Sequence, residues 1–356
     1  FVRGLEDRYN SLLLNDLAVP SNNPFKKIIP LDIFPTDIVS VLETYKTFNP
    51  NLYGDFAGAT FNIITTATGK SQTKINFGAG YTINNNLKKF LISRDATSTS
   101  DFFGFSGNER DLPSALNKTP GNQSLTTDQA ANGFGSGFDV KSDVAPLNTS
   151  FGVTHSEKFN VGKNQNAFQY LVSLNYENKY QIRSGADRIF NTAAGNYDNN
   201  LNTTQYKFIT NSSALVGLTY KTKRLSLTSN TIYLKSTENL IQDQLGYTNS
   251  NVAQTNGFIR MNQLQESNFF NTQLFGNYKI TEDERHTLKS GISYSTTRYE
   301  LPDRKSFRGV KIDDNTTSIS YTGNSITRQY LDFKGDQHIS GLVEYSWKFG
   351  NEDLSK

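Results

Sequence analysis

The sequence predicts a mainly β protein in which a transmembrane antiparallel β-barrel follows part of a small mixed α/β domain. Three observations predict this fold. Segments that alternate apolar and polar residues recur after residue 70, their apolar faces end in aromatic residues, and their connections alternate between short and long. Hydrophobic residues make up 35% of the chain while aromatic residues reach 12%. That composition favours a thin apolar band over a thick core.

The first 69 residues contain short apolar runs broken by proline, which is typical of a small mixed domain. These prolines are Pro20, Pro24, Pro30 and Pro35. Asp37 precedes an apolar run and could cap a short helix over residues 38–42. Residues 59–66 are rich in β-branched side chains and are predicted to form a strand.

After residue 70 the pattern has a period of two, as in a strand with one apolar and one polar face. Residues 72–83 place the apolar side chains at odd positions, and residues 168–176 place them at even positions. About eight strands of 9–11 residues, the length that crosses a bilayer, are predicted. The aromatic residues that end the apolar faces, as an interfacial girdle would require, are Tyr81, Tyr176, Tyr220, Tyr278, Tyr294 and Trp347.

The connections support a barrel over a soluble β-sandwich, the alternative fold. Residues 221–224 and 281–285 form short turns, whereas residues 184–202, 246–257 and 302–335 are long and polar. Short turns at one end and long loops at the other are typical of outer-membrane barrels.

Composition excludes several kinds of chemistry. The net charge is only +3 and the basic residues are scattered, so no nucleic-acid partner is expected. The chain has no cysteine, and its three histidines are never at metal-ligand spacing. No catalytic constellation is apparent, so neither an enzyme activity nor a cofactor or metal is expected. Because the chain begins at Phe1, it is expected to be a piece of a longer protein.

Four motifs near the start occur in a specific order. They are FVRGL (1–5), LLLNDLAVP (12–20), DIVSVLETYK (37–46) and LYGDFAGATFNIITT (52–66). In this order they resemble the C-terminal half of the plug domain of TonB-dependent outer-membrane receptors, in the form found in Bacteroidetes. The chain departs from the family pattern at Asn15-Asp16, where Asp-Gly is usual, and at Thr47, where glycine is usual. The resemblance implies a plug over residues 1–69 and about 8 of about 22 barrel strands over residues 70–356.

The resemblance also implies a location and a function. A protein of this kind lies in the outer membrane of a Gram-negative bacterium and imports a large or scarce substrate, such as a glycan, a peptide or a metal chelate. Its partners would be outer-membrane lipid, TonB, and a surface lid lipoprotein or other subunits of an outer-membrane complex. Two alternatives remain: a plugged barrel that serves as a structural or assembly subunit without transport, and a soluble β-rich adhesin or carbohydrate-binding module.

Site residues carried over from the family fall into three groups. Arg3 and Lys46 match basic plug positions that face glutamates of the barrel wall, for which Glu177 and Glu344 are candidates; otherwise they are ordinary surface charges. Gly4, Gly54 and Gly58 are expected where the backbone needs a positive φ or packs closely against the barrel wall. Ligand contacts are expected from loop tips, although these residues could instead pack their own loop or contact a partner lid protein: Asn22, Asn23, Phe25, Phe102, Phe103 and Phe105.

Overall fold

A computed structural model describes residues 7–50, 52–66, 70–116, 125–248, 254–313, 316–319 and 325–349. Its first part is a four-stranded mixed sheet, which we call the small sheet. The strands are β1 (Ser11–Leu14), β2 (Leu17–Ala18), β3 (Val39–Tyr45) and β4 (Thr60–Thr65), in the order β2-β1-β4-β3. β1 runs parallel to β4, and the other pairs are antiparallel. The predicted strand over residues 59–66 is therefore confirmed as β4.

Two local features of the small sheet follow from residue type. Asn15 and Asp16 join β1 to β2 with φ angles of 52° and 70°, and Asn and Asp are the residues other than glycine that best tolerate this region. The helix predicted after Asp37 is wrong, because residues 39–45 form β3 and pair with β4. The β-branched Val39 and Val41 favour a strand once a partner strand is available.

The next strand, β5 (Gln72–Gly80), is followed by a segment of residues 81–147 that we call the insert. The insert contains the paired strands β6 (Lys89–Ser93) and β7 (Val140–Val144). It also contains two short helices, α1 (Thr99–Phe102) and α2 (Thr127–Asn132), each with a capping box at its start. Ser98 and Thr126 supply the capping oxygens. No helix of the described residues is long and apolar enough to span a membrane.

The rest of the chain builds one antiparallel sheet, which we call the large sheet. Its further strands are β8 (Asn148–Val161), β9 (Asn166–Asn191), β10 (Asn196–Lys221), β11 (Leu225–Thr248), β12 (Gln254–Lys279), β13 (His286–Lys311), β14 (Thr317–Ser318) and β15 (Ile326–Trp347). From β5 and β8 each strand pairs with the next in sequence up to β13, which pairs with both β14 and β15. With β5 included, eight strands of the large sheet have nine or more residues within the described part of the chain, as predicted, and the sheet curls into a half-barrel.

The strands are much longer than the predicted 9–11 residues. β9, β10, β12 and β13 each have 26 residues, or about 86 Å at about 3.3 Å per residue. The long loops predicted over 184–202 and 302–335 are wrong for the same reason, since both segments are largely strand. Both faces of the sheet carry polar residues there, so the sequence shows no period of two.

Candidate functional site: the two faces of the large sheet

The small sheet packs on one face of the large sheet, which we call the inner face. Apolar side chains of both sheets form one buried core. The small sheet and its loops contribute Leu12, Leu14, Ile28, Ile29, Ile33, Phe34, Ile38 and Ile63; the large sheet contributes Leu171, Leu215, Ile232, Leu234 and Phe269. Because side chains alternate across a strand, the residues next to these in each strand point to the opposite, outer face.

Polar contacts fix the edges of the small sheet to the inner face. Gln273 on β12 donates to the carbonyl oxygen of Leu14 at 2.8 Å and accepts from Nδ2 of Asn15 at 2.7 Å. Lys289 on β13 pairs with Asp16 at 2.7 Å. The small sheet is therefore held near its β1–β2 turn by three contacts from the large sheet, one of which is a charge pair.

A second group of contacts lies on the first strands of the large sheet. Asp37 accepts from Lys74 Nζ and Asn76 Nδ2, each at 2.7 Å. A cavity of about 470 Å³ opens beside them, between the loop of residues 32–37 and the inner faces of β5, β8, β9 and β10. Glu177 and Lys179 line it and pair with each other at 3.1 Å. The cavity is polar and charged, which suits passage or binding of a hydrophilic solute.

The outer face carries an exposed apolar band near the short-turn end of the strands. Its side chains are Val153, Val172, Leu174, Ala214, Val216, Leu218, Leu274, Ile292, Ile339 and Val343. Many of these are largely exposed; Val343, for example, is 79% exposed. A soluble protein rarely exposes a contiguous apolar surface of this extent.

Aromatic residues border the band on both sides. Three strands carry a pair of outer-face aromatics eight residues apart: Phe151 and Phe159 on β8, Phe168 and Tyr176 on β9, and Phe270 and Tyr278 on β12. Eight residues span about 27 Å along a strand, or about 20 Å across a bilayer at a tilt of about 40°, close to the ~25 Å band of outer-membrane barrels. We call the row with Phe159, Phe168 and Tyr278 the lower row and the other the upper row.

The insert lies on the outer face above the upper row. Phe90 packs edge-on against Tyr180 and Tyr206, and Phe102 stacks near Phe208. The pKa of the Tyr180 hydroxyl is raised to about 12, mainly by burial. The neighbouring Tyr176 and Asp143 raise it by smaller amounts. The insert thus covers the part of the outer face that continues beyond the apolar band.

A buried ion cluster joins the insert to β13. Asp95 pairs with Arg110 and with Lys305, each at 2.6 Å, and Lys305 is 0% exposed. Asp303 pairs with Lys305 at 3.7 Å and with Arg328. Burial alone would raise the pKa of Asp95, but the charges of Arg110 and Lys305 outweigh it and lower that pKa.

The structure places the predicted latch residues as follows. Arg3 and Gly4 lie outside the described residues. Lys46 is exposed just after β3 and forms no ion pair with any part of the chain that the structure describes. Glu177 pairs with Lys179 and accepts from Asn211, and Glu344 accepts from Ser346.

Gly54 and Gly58 lie within the region of the small sheet. A Cβ on Gly58 would overlap Oδ1 of Asn10, so the close approach there is to Asn10 and not to the large sheet. Gly54 has only the ring of Phe48 nearby, at 3.9 Å from an added Cβ. Neither glycine has a positive φ.

The predicted ligand residues fall on opposite faces of the large sheet and cannot line one site. Asn22 is buried on the inner side and donates to Ser267 at 3.3 Å, Asn23 Oδ1 accepts from the amide of Phe25, and Phe25 is 74% exposed beside Tyr299. By contrast, the insert places three phenylalanines on the outer side: Phe102, Phe103 and Phe105.

Sequence reasoning missed the residues that hold the parts together. Asp37 was assigned to a helix cap, although it binds Lys74 and Asn76. Asp95 and Lys305 are separated by 210 residues, and no local motif connects them. Unlike these, Gln273 was recognisable as a polar inner-face position from the alternation in β12, but its partner was not.

Comparison with known proteins adds one distant structural likeness. No protein-family model matches the chain, and no curated protein matches it. A solved structure, "Structure of the RagAB peptide importer in the 'open-open' state", is similar at 11% identity with a TM-score of 0.33. The match covers 82% of this chain and 42% of that one, so the chain spans less than half of the solved chain. A likeness this weak does not by itself establish a shared function.

Proposed function

We propose that the chain forms part of a TonB-dependent receptor of the outer membrane of a Gram-negative bacterium, of the type found in Bacteroidetes. In this proposal residues 1–69 belong to a plug and residues 70–356 to the wall of a β-barrel. The protein imports a large or scarce hydrophilic substrate, such as a glycan, a peptide or a metal chelate, without covalent chemistry.

The observation that carries the proposal is the exposed apolar band between two aromatic rows. Such a band is stable only against lipid, because in water it would be an aggregation surface. An open sheet edge is not tolerated in hydrocarbon, so further strands must complete the half-barrel. Lipid on the outer face and a polar, charged inner face together favour a water-filled lumen.

Packing of the small sheet on the inner face of the large sheet supports transport through a removable plug. Its contacts with the inner face combine an apolar core with a few polar bonds, such as those from Gln273 and Lys289. In the proposal, TonB delivers energy that breaks these bonds and displaces the plug. Arg3 and Lys46 remain candidate latch residues by resemblance.

A disulfide lock tests whether the plug must move. The chain has no cysteine, so Asn22→Cys with Ser267→Cys introduces one pair where the two side chains now meet at 3.3 Å. A matched control, Thr231→Cys with Thr272→Cys, joins two strands of the large sheet whose hydroxyls are 2.9 Å apart. A deletion strain first identifies the peptide, glycan or metal chelate whose uptake depends on the protein.

Transport predicts that the lock between residues 22 and 267 abolishes uptake until a reductant is added, while the control lock leaves uptake unchanged. Uptake through the locked protein would overturn a mobile plug. A deletion strain that grows normally on every such nutrient but loses envelope integrity would favour the structural subunit and overturn import.

A further inference from the structure

We propose that the insert rests on the bilayer, and that Phe102 and Phe103 anchor it in the interfacial layer of the outer leaflet. This inference rests on the proposed membrane location of the apolar band. It assigns these two phenylalanines to lipid contact, whereas the sequence made them candidates for ligand binding. The occupant is the headgroup and upper acyl region of the lipid, a partner for which amphipathic and aromatic groups are suited.

The first argument is the position of the two rings. Phe102 and Phe103 contact the ring of Tyr176 at centroid distances of 5.8 and 5.2 Å. Tyr176 belongs to the upper aromatic row, and its hydroxyl donates to the carbonyl oxygen of Phe102. The two phenylalanines therefore continue the row that borders the lipid-facing band.

The second argument is their exposure. Phe102 and Phe103 retain 37% and 45% of their surface exposed although they pack on each other edge-on. The backbone that carries them is fixed by the Ser98 cap of α1 and by a long hydrogen bond of 3.5 Å from Ser212 on β10 to the carbonyl oxygen of Phe103. Aromatic rings that stay exposed beside an apolar band are stabilised by lipid.

The third argument is the composition of the first turn of the insert. Tyr81, Ile83 and Leu87 are exposed there, just beyond the end of β5. Leu87 has a φ of 59°, an unfavourable angle for leucine, and its amide is held by the carbonyl oxygen of Ala145. Two exposed lysines follow, Lys88 and Lys89. Apolar side chains beside lysines suit a surface of acyl chains and anionic headgroups.

The remainder of the insert faces away from lipid. Its buried ion cluster, with Asp95, Arg110 and Lys305, lies against the extended part of β13. Such charges are compatible with the aqueous side of the membrane and not with its interior. The insert thus combines one lipid-facing rim with a polar body fixed to the wall.

Site-directed spin labelling of the intact protein in phospholipid vesicles tests the inference. Single cysteines replace Phe103, Val343 within the band, or Phe25 on the inner side. Power saturation compares the accessibility of each label to oxygen, which dissolves in lipid, and to a water-soluble nickel chelate. We expect the oxygen-to-nickel ratio to rise in the order Phe25, Phe103, Val343.

The outcomes separate the inference from the function on which it rests. A label at Val343 that is as water-accessible as the one at Phe25 would overturn the membrane band itself. A lipid-exposed Val343 together with a Phe103 label indistinguishable from Phe25 would overturn only the anchor. The double variant Phe102→Ser with Phe103→Ser gives a second readout: a spin label at Leu87 loses oxygen accessibility if the rim leaves the bilayer, and keeps it if the rim does not depend on these rings.

Discussion

Gln273 and Leu14 are joined by a buried hydrogen bond of 2.8 Å that ties the large sheet to the turn of the small sheet. The same Gln273 side chain accepts from Asn15, which also bonds to Thr65 on β4. Gln273 of the large sheet therefore contacts β1 directly and is linked to β4 through Asn15. Loss of its amide group would remove two of the three contacts that hold the turn, without disturbing the apolar core.

Gln273→Leu should loosen the small sheet. The carbonyl oxygen of Leu14 would be left buried without this partner, which costs about 1–3 kcal/mol. Hydrogen exchange of residues 11–65 measures the effect as faster exchange. Gln205→Leu is the matched control, because Gln205 lies on the same face and bonds to Gln242 of the neighbouring strand at 2.7 Å. Equal protection of the small sheet in both variants would contradict this role.

Gly58→Ala should also weaken the small sheet, for a steric reason. A Cβ at this position overlaps Oδ1 of Asn10, which accepts from the amide of Ala59 at 2.9 Å. Overpacking of this kind costs about 1–3 kcal/mol. Gly185→Ala is the control, since nothing lies within 4 Å of its added Cβ. The urea concentration at which residues 11–65 lose protection from hydrogen exchange should fall for Gly58→Ala and stay unchanged for Gly185→Ala.

Asp95→Asn should detach the insert from β13. The substitution leaves Arg110 and Lys305 buried without their shared carboxylate, and breaking a buried charge network costs about 3–5 kcal/mol. Limited proteolysis should cut residues 81–147 faster in this variant. Asp143→Asn removes the carboxylate of the exposed pair with Lys141 and should have no such effect. Equal cleavage of the two variants would exclude a fastening role for the cluster.

The same cluster predicts an acid transition. Burial opposes and the charges of Arg110 and Lys305 favour the ionised form, and the net pKa of Asp95 is lowered. Its contribution to stability is therefore complete above the ordinary carboxyl pKa of about 3.9 and is lost as the pH falls through the lower folded value. Proteolysis of the insert by pepsin should accelerate below about pH 4 in the wild type. Asp95→Asn should lack the part of this acceleration that comes from Asp95.

The sequence predicted the faces of the large sheet correctly because the pleat alone determines them. Leu174 and its even-numbered neighbours point outward, and Ser173 points inward, as the alternation requires. The length of the strands was not predictable in this way. Beyond residue 180 the outer face is covered by the insert and the inner face is polar, so neither face has a uniform character.

Contacts between residues that are distant in sequence also leave no local sequence motif that would predict them. Lys305 is an ordinary polar residue in a strand until Asp95 is brought beside it by the insert. The cluster of phenylalanines in the insert is evident in the sequence, but the sequence does not reveal which face of the large sheet they cover. Their packing on Tyr176 became apparent only from the fold.

Leu274→Lys tests the apolar band directly. Leu274 lies on the outer face, midway between Phe270 and Tyr278, and is 51% exposed. In the proposed membrane location a lysine here would lie near the midplane of the bilayer, where it costs about 2–4 kcal/mol in outer-membrane barrels. Asn277→Lys, on the inner face of the same strand, places the same charge on the polar side of the large sheet and should cost little. Unfolding in urea from phospholipid vesicles measures both. Because the two variants place the same charge on opposite faces of one strand, equal destabilisation would mean that water, and not lipid, covers the outer face of the large sheet.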